Sequence, residues 1–309
     1  MQQSLKCAKC GQEPIIFLHY ANKHLCADHF RQMFDKRFRS TVREFGMIKK
    51  GDRIAVGLSG GKDSTVLLHC LHELSKDLPM ELTAITIDEG IKGYRSATLK
   101  IAKSEAKKLG IEHHIVSFKE KIGNSLDSIL KKDASLSCSY CGVFRRGLLN
   151  RGARELGADS LALGHNLDDL AQTVLMNIMK NETDRNARYL EPGFTNKSFI
   201  PRIRPLLRTP EKEVAIYAMV RNIQIDHREC PYARNAFRQT IRRQLNELED
   251  LYPGTKYKIL ASYLSMEKER ESNPSKTREP VLRTCISCEE PCSGPSCRYC
   301  QMLSTIATI

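Results

Sequence analysis

Ser59-Gly60-Gly61-Lys62-Asp63-Ser64 lies between an apolar run, Arg53-Ile54-Ala55-Val56-Gly57-Leu58, and a segment that repeats Val66, Leu67, Cys70, Leu71 and Leu74 on one face. The run reads as a buried parallel strand and the segment as an amphipathic helix. The order is therefore strand, glycine turn, helix. Two glycines and two serines let the backbone aim its N–H groups at an anion in front of the helix, and Lys62 adds a point charge. This is not a Walker A loop, G-x-x-x-x-G-K followed by serine or threonine. Val56 stands where the first glycine would be, and Asp63 follows the lysine. An aspartate there repels a triphosphate unless Mg2+ or a second basic group compensates.

The pattern continues outward from the loop. Strands are expected over 53–58, 82–87, 112–118 and 159–163, and helices over 64–75, 95–109, 141–156 and 166–180. Such alternation implies an α/β fold, a right-handed, doubly wound parallel sheet with its ligands at the carboxyl ends of the strands. Those ends are Leu58 with the glycine turn, Ile87-Asp88, and Gly164-His165-Asn166-Leu167-Asp168-Asp169. All can line one crevice. Asp88 can equally cap a turn. The pair Asp168-Asp169 reads as a metal and ATP site, with a helix N-terminal charge as the alternative.

The chain has 309 residues and a formal net charge of +13, which favours a polyanionic partner, with nucleic acid ahead of membrane. No apolar run is long enough to span a bilayer, and Met1 to Cys7 lacks the apolar core of a signal peptide. A cytoplasmic protein is expected, and its twelve cysteines then point to metal rather than disulfides. Cys7-x2-Cys10, fifteen further residues and Cys26-x2-His29 make a zinc knuckle pattern. His19 and His24 lack the pair spacing. Cys285-x2-Cys288-x8-Cys297-x2-Cys300 makes a zinc ribbon pattern, with Cys292 redundant inside its loop. The expected organisation is an N-terminal zinc knuckle over 1–30, a catalytic domain over 31–270, a linker over 271–284 and the ribbon over 285–309.

Basic residues gather in three places. Residues 30 to 46 read as a helix with Phe34, Phe38, Val42 and Phe45 inside and Arg31, Lys36, Arg37, Arg39 and Arg43 mostly off that stripe. Residues 182 to 209 form a long segment with Arg185, Arg188, Arg202, Arg204 and Arg208, stiffened by Pro201 and Pro205. Thr209-Pro210-Glu211 starts a helix. In a later helix, Phe237, Ile241, Leu245 and Leu248 face inward while Arg234, Arg238 and Arg242 recur every fourth residue as an outer ridge suited to an RNA backbone.

With the zinc ligands removed, five cysteines remain. Cys70 reads as a small core residue. Cys138-x2-Cys141 and the distant Cys230, in Glu229-Cys230-Pro231-Tyr232, are left beside Cys292. The pair alone could be redox-active, half a zinc site, or two ligands of an iron–sulfur cluster.

The combination of knuckle, Ser59-Gly60-Gly61-Lys62-Asp63-Ser64, Cys138-x2-Cys141, Gly164-His165-Asn166-x-Asp168-Asp169, Cys230 and ribbon resembles the tRNA 2-thiouridine synthetases, PP-loop ATP pyrophosphatases that act on the wobble or T-loop uridine. The resemblance covers almost the whole chain. It implies adenylation of a uridine C2 oxygen by ATP and displacement of AMP by sulfur. It implies that Leu58, Ser59, Gly60, Gly61, Ser64, Ile87, Gly164 and Asp168 contact ATP, with Lys62 and Asp63 at the phosphates. Arg145 falls where relatives carry a basic residue, commonly a lysine. Cys138, Cys141 and Cys230 would hold a 4Fe-4S cluster beside two structural Zn2+. Sulfur would come from a ubiquitin-like sulfur carrier or free sulfide, and a homodimer is the expected assembly. Rival readings are thiolation through a persulfide on Cys141 or Cys230 without a cluster, another PP-loop ligase, and a zinc-ribbon RNA-binding protein without catalysis.

Overall fold

The computed structural model of the chain describes residues 6–131, 137–182, 186, 199–226, 228–233, 237–272 and 283–308, apart from the side chains of Ser137, Cys138, Ala233, Glu271 and Thr308. Arg185, Arg188, His227, Arg234 and most of the expected linker lie outside the described residues, as does the side chain of Cys138.

A short hairpin, β1 (Ile16–Leu18) and β2 (Lys23–Leu25), leads into α1 (Ala27–Glu44). The alternating core follows as β3 (Arg53–Gly57), α2 (Lys62–Ser75), β4 (Glu81–Asp88), α3 (Arg95–Lys108), β5 (Glu112–Ser117), the short α4 (Phe118–Ile122) and α5 (Leu126–Leu130), α6 (Ser137–Glu155), β6 (Ser160–Ala162), α7 (Leu167–Met179) and β7 (Arg202–Ile203). The five strands form one parallel sheet in the order β5-β4-β3-β6-β7. The chain moves from β3 to one side, then returns to the other side of β3 at β6. The strand ends β3 and β6 therefore open a crevice at the switch point.

Each face of the sheet buries a separate core, as the two-residue alternation of a strand requires. Ile54, Val56 and Leu58 pack with α1 and α2 residues such as Phe34, Leu67 and Leu71, and Cys70 sits in this core as the sequence suggests. Ala55, Ile85 and Leu161 pack with Phe118, Phe144 and Leu148 on the other face. The sheet strand that the pattern missed is β7. It is two residues long, alternates Arg202-Ile203 and lies between Pro201 and Pro205. Only its pairing with β6, Arg202 with Leu161 and Ile203 with Ala162, makes it a strand.

Three helices follow: α8 (Glu211–Val220), α9 (Phe237–Leu251) and α10 (Thr255–Ser272). In α9, Ile241 and Leu245 are buried, but Phe237 and Leu248 are 41% and 43% exposed, so the inward stripe is narrower than its spacing suggests. The N-terminal module is bolted to α8. Arg37 Nη1 reaches Glu213 Oε2 at 2.7 Å, Tyr20 donates to Glu213 Oε1 at 2.8 Å, and Phe34 stacks on Tyr217 at 3.9 Å. Arg37 thus belongs to an internal joint and not to a solvated basic face. The C-terminal hairpin, β8 (Arg283–Thr284) and β9 (Pro291–Cys292), precedes α11 (Arg298–Thr308), which packs on α6. Tyr299 meets Phe144 edge-on at 5.0 Å, and Arg151 lies 4.4 Å over the Tyr299 ring. Glu290 accepts from Arg154 at 2.6 Å and from Asn150 at 3.2 Å.

Asp168 closes the junction of α7, α8 and α10. Its Oδ2 accepts from the Glu211 N–H at 2.7 Å, capping α8, and its Oδ1 pairs with Lys256 Nζ. Lys256 also donates to Asn246 Oδ1 at 2.7 Å. The side chains of Asp168 and Lys256 are 4% and 10% exposed. Removing one partner strands the other charge in a poorly solvated place. Lys256→Met should therefore cost about 3–5 kcal/mol of unfolding free energy in a denaturant titration. Adding Asp168→Asn should restore part of that loss. An unshifted unfolding midpoint in Lys256→Met would remove this tie from the account of the fold.

Candidate active site

The glycine turn is an anion cradle. Gly61 is the N-cap residue of α2, and no side chain caps it, so the first-turn N–H groups remain available. The two serines brace the turn: Ser59 N–H donates to Ser64 Oγ at 3.0 Å, and the two hydroxyls are 2.9 Å apart. Gly60 has φ +82°, and a Cβ there would lie 2.0 Å from the Thr98 carbonyl oxygen. Only glycine fits. The opposite lip is equally close, because a Cβ on Gly164 would lie 2.8 Å from both Asp63 C and Ser64 N. The β3 and β6 loops therefore pack backbone against backbone.

A cavity of about 610 Å³ opens at this switch point. Leu58, Ser59, Gly61, Asp63, Ser64, Ile87, Arg145 and Gly164, all expected at the nucleotide, line it. Gly60, Lys62 and Asp168 do not. Gly60 shapes the turn from behind. Lys62 Nζ bridges Asp63 Oδ2 at 2.9 Å and Glu211 Oε1 at 2.6 Å on the far side of the loop. Asp168 turns to α8 and Lys256, and Asp169 takes the wall that Asp168 was expected to occupy. The cause is a capping box. Asn166 Oδ1 accepts from the Asp169 N–H at 3.1 Å, and Asp169 Oδ2 accepts from the Asn166 N–H at 3.2 Å. Asn166 Nδ2 also donates to Asp63 Oδ1 at 3.0 Å. The pattern Asn166-x-x-Asp169 was a readable signal for this choice.

Burial raises the Asp169 carboxyl to about 6, with Asp63 adding to the rise. Burial also raises Asp63, against the pull of Lys62. Burial, with the repulsion of Asp63 on Asp169, keeps the two carboxyls from ionising comfortably together despite Lys62 and Arg238 nearby. His165 lines the same cavity, and burial together with Arg204, Arg238, Arg145 and Arg202 lowers it to about 3, so its ring is neutral.

Sequence reading passed over Arg95. Its guanidinium donates to the Ser59 carbonyl at 2.9 Å and to the Ile87 carbonyl, and pairs with buried Glu89 at 2.9 Å. It thus fixes the glycine turn to the end of β4. Arg238 and Arg242 are half-exposed, and each is also held by partners within the chain. Arg238 lines the cavity and donates to Gln172 Oε1 at 3.1 Å and Thr173 Oγ1 at 3.0 Å. Arg242 pairs with Glu211 at 2.9 Å and Glu229 at 3.2 Å.

Two cysteines flank Arg145, which lines the cavity. Cys141, in the second turn of α6, and Cys230, ahead of the Pro231–Ala233 turn, are half-buried and pack in one cluster. Arg145 reports both of them. Burial depresses its pKa, but Cys141, Glu89 and Cys230 outweigh burial and hold it above its ordinary value. Cys230 is tied to the glycine turn through an isolated parallel bridge between Gly61 and Asp226. The backbone of Cys138 lies in α6 one turn before Cys141.

The outer cysteines form two closed ligand sets, Cys7, Cys10, Cys26 and His29, and Cys285, Cys288, Cys297 and Cys300, with donor atoms within 4.8 Å of one another in each. Cys10 Sγ lies 3.7 Å from Cys26 Sγ, and Cys26 Sγ lies 3.3 Å from His29 Nδ1. Cys288 and Cys297 are 3.5 Å apart. A tetrahedral zinc ion spaces two thiolates about 3.8 Å apart and a thiolate and imidazole about 3.5 Å apart. Both sets therefore fit one metal ion each with no open position. Cys292 stands outside its set and donates to the Gly294 carbonyl at 2.9 Å.

Known proteins carry the same arrangement. Residues 29–249 match the PP-loop domain family, and residues 6–31 match the N-terminal LIM domain of the 2-thiouridine synthetase TtuA. The tRNA 2-thiolation protein NcsA of Haloferax volcanii is 37% identical, across 99% of this chain and 100% of its own. The tRNA-5-methyluridine(54) 2-sulfurtransferase of Pyrococcus horikoshii is 35% identical, across 96% of this chain and 93% of its own. Among solved structures, the U34-tRNA thiolase NcsA from Methanococcus maripaludis, with its 4Fe-4S cluster, aligns at a TM-score of 0.81 and 33% identity over 98% of this chain and 97% of that one. With the glycine turn and the paired carboxyls in one crevice and two thiols beside its Arg145, the chain belongs to the PP-loop tRNA uridine thiolases, ATP-using enzymes that transfer sulfur to tRNA.

Proposed function

We propose that the crevice uses ATP to adenylate the C2 oxygen of a tRNA uridine and that sulfur then replaces that oxygen, giving 2-thiouridine at the wobble position. The carrying observation is that Arg145, which lines the same cavity as the glycine turn, Asp63 and Asp169, feels the charges of both Cys141 and Cys230. In the first step the C2 oxygen attacks the α-phosphorus and pyrophosphate leaves. In the second, a sulfur nucleophile attacks C2 and AMP leaves with the original oxygen.

The chain's own groups suit the first step. The α2 N-terminus and the Ser59 and Ser64 hydroxyls bind phosphate oxygens, and Arg238 adds positive charge from α9. Asp63 and Asp169 would hold Mg2+, which would relieve the shared charge that keeps their carboxyls hard to ionise. The neutral His165 ring can donate a hydrogen bond without adding repulsion. For the second step, the thiols of Cys141 and Cys230 are soft donors that suit iron. Together with Cys138 they would hold a 4Fe-4S cluster, which would supply a soft-metal site for sulfide. Arg145 offers compensating charge beside the thiolates.

The two outer ligand sets hold structural zinc in this reading. The wobble assignment draws on the solved relative, a U34-tRNA thiolase; the Pyrococcus relative is named for position 54. Sulfur arrives from a ubiquitin-like carrier or as free sulfide, the enzyme works in the cytoplasm as a homodimer, and no helix among the described residues is long and apolar enough to cross a membrane.

Asp63→Ala should abolish tRNA-dependent AMP and pyrophosphate formation while leaving circular dichroism and metal content unchanged. Full pyrophosphate release in that variant would sink the adenylation step. Cys141→Ala and Cys230→Ala should each lose iron, acid-labile sulfide and thiolation, with ATP affinity retained because the glycine turn is untouched. Iron-free protein that thiolates tRNA at full rate would promote the persulfide route instead. Metal analysis should give two zincs per chain, and Cys10→Ser or Cys297→Ser should each lose one and unfold its module. A four-ligand zinc site can supply on the order of 10 kcal/mol in isolated peptides. Well-folded protein without zinc would overturn the assignment.

A further inference from the structure

The crevice holds more positive charge than its acids can balance. Arg145, Arg146, Arg202, Arg204 and Arg238 all line it. Arg145 lies within 3.8 Å of Glu89, and Arg238 within 3.8 Å of Asp169. Arg146 and Arg202 have no carboxylate partner among the described residues. Every influence on Arg202 works against its charge: burial first, then Arg204, then Arg146, and together they lower it to about 10. Burial and Arg145 likewise lower Arg146, with only Cys141 acting the other way. Crowded like charges destabilise the empty protein, and such an arrangement persists where a ligand neutralises it.

The local structure explains how the crowding arises. On α6, Cys141, Arg145 and Arg146 follow one another at four- and one-residue steps, and the Arg146 guanidinium folds back over Gly142, 3.2 Å from where its Cβ would be. It therefore lies beside the turn that carries Cys141. On β7 the alternation sends Ile203 into the core beneath the sheet and leaves Arg202 and Arg204 to the cavity. These guanidinium groups come from different elements and converge on one space.

We propose that Arg146 and Arg202 bind the phosphodiester backbone of the tRNA at the nucleotide delivered to this crevice. The proposal rests on the thiolation reading above. The anion is a phosphate, and ATP is its other possible source. The loop end already has phosphate partners of its own, the α2 N–H groups and the two serine hydroxyls. A uridine whose C2 must reach both the nucleotide and the thiols brings its backbone phosphate to Arg146, beside the turn that carries Cys141, and to Arg202, which feels the Arg146 charge. Guanidinium forks match phosphate oxygens two at a time. Backbone contacts of this kind fix register and read no base. Arg146 and Arg202 would thus hold a splayed-out nucleotide in place without choosing which tRNA supplies it.

The test uses Arg146→Gln, Arg202→Gln and the double variant, as full-length metal-loaded protein, with no turnover needed. Because each change removes repulsion, all three variants should be at least as heat-stable as the wild type. Binding of unmodified tRNA without ATP, measured across a salt series, should lose roughly 0.7–0.9 from its log–log slope per arginine. ATP affinity measured without tRNA should not change. Since no step requires adenylation, this result stands or falls apart from the Asp63→Ala experiment. A folded double variant with the wild-type tRNA slope would overturn the proposal. So would a variant that loses ATP affinity and keeps the tRNA slope, which would assign the pair to the ATP phosphates.

Discussion

Everything at the crevice follows from one close approach, the backbone of Gly164 against the backbone of Asp63 and Ser64. No side chain separates the β3 loop from the β6 loop. The two strand ends that flank the switch point are thereby clamped, and the groups that follow each glycine are fixed relative to one another. Asn166 then reaches Asp63 with its amide, and its capping box brings Asp169 to the cavity. Asp168, one residue earlier on the same helix, must point elsewhere. It finds the N-terminus of α8 and Lys256. Two neighbouring aspartates thus do unlike work, one at the crevice and one in the frame.

Charge is distributed along the crevice in the same unlike way. Carboxyls collect at the loop end, where burial makes them hard to ionise, and Arg145 and Arg146 gather beside Cys141. Neither end is balanced internally. A site that must accept a metal-bound polyphosphate at one end and a polyanionic nucleic acid at the other gains from both imbalances, because each ligand cancels the strain it meets. The protein carries the cost of holding these charges when empty. Arg95 and Glu89 show the opposite case, a buried ion pair of opposite charges, and Arg95 holds the glycine turn on β4.

Most of the fold was legible because the apolar periods of strand and helix are strong in this chain. Four of the five sheet strands and the four expected helices lie within a few residues of expectation, while the short α4 and α5 were not anticipated. β7 was hidden because two residues carry no period, and its arginines read as part of a basic loop. The glycine turn and both four-ligand sets were legible because chemistry fixes their spacing. The partners of Arg37, Arg238 and Arg242 were not, since Glu213, Gln172 and Glu211 are distant in sequence. The choice between Asp168 and Asp169 depended on the helix phase, which a capping box sets and which an isolated pair of aspartates does not reveal.

The two outer modules gain a role from this frame. The C-terminal hairpin and α11 press on α6 through Tyr299, Glu290 and Arg151, and α6 is the helix that carries Cys141, Arg145 and Arg146. The N-terminal module presses on α8 through Arg37 and Glu213, and α8 begins at Glu211, which holds Lys62 and Arg242 behind the glycine turn. Each four-ligand set sits beyond an element that positions crevice residues, with one joint between them. A module this short has little core of its own, and four metal bonds would give it the stiffness to act as a brace. The flanking modules are therefore read best as supports for α6 and α8, placed where a loosened helix would shift a guanidinium or a thiol out of the crevice.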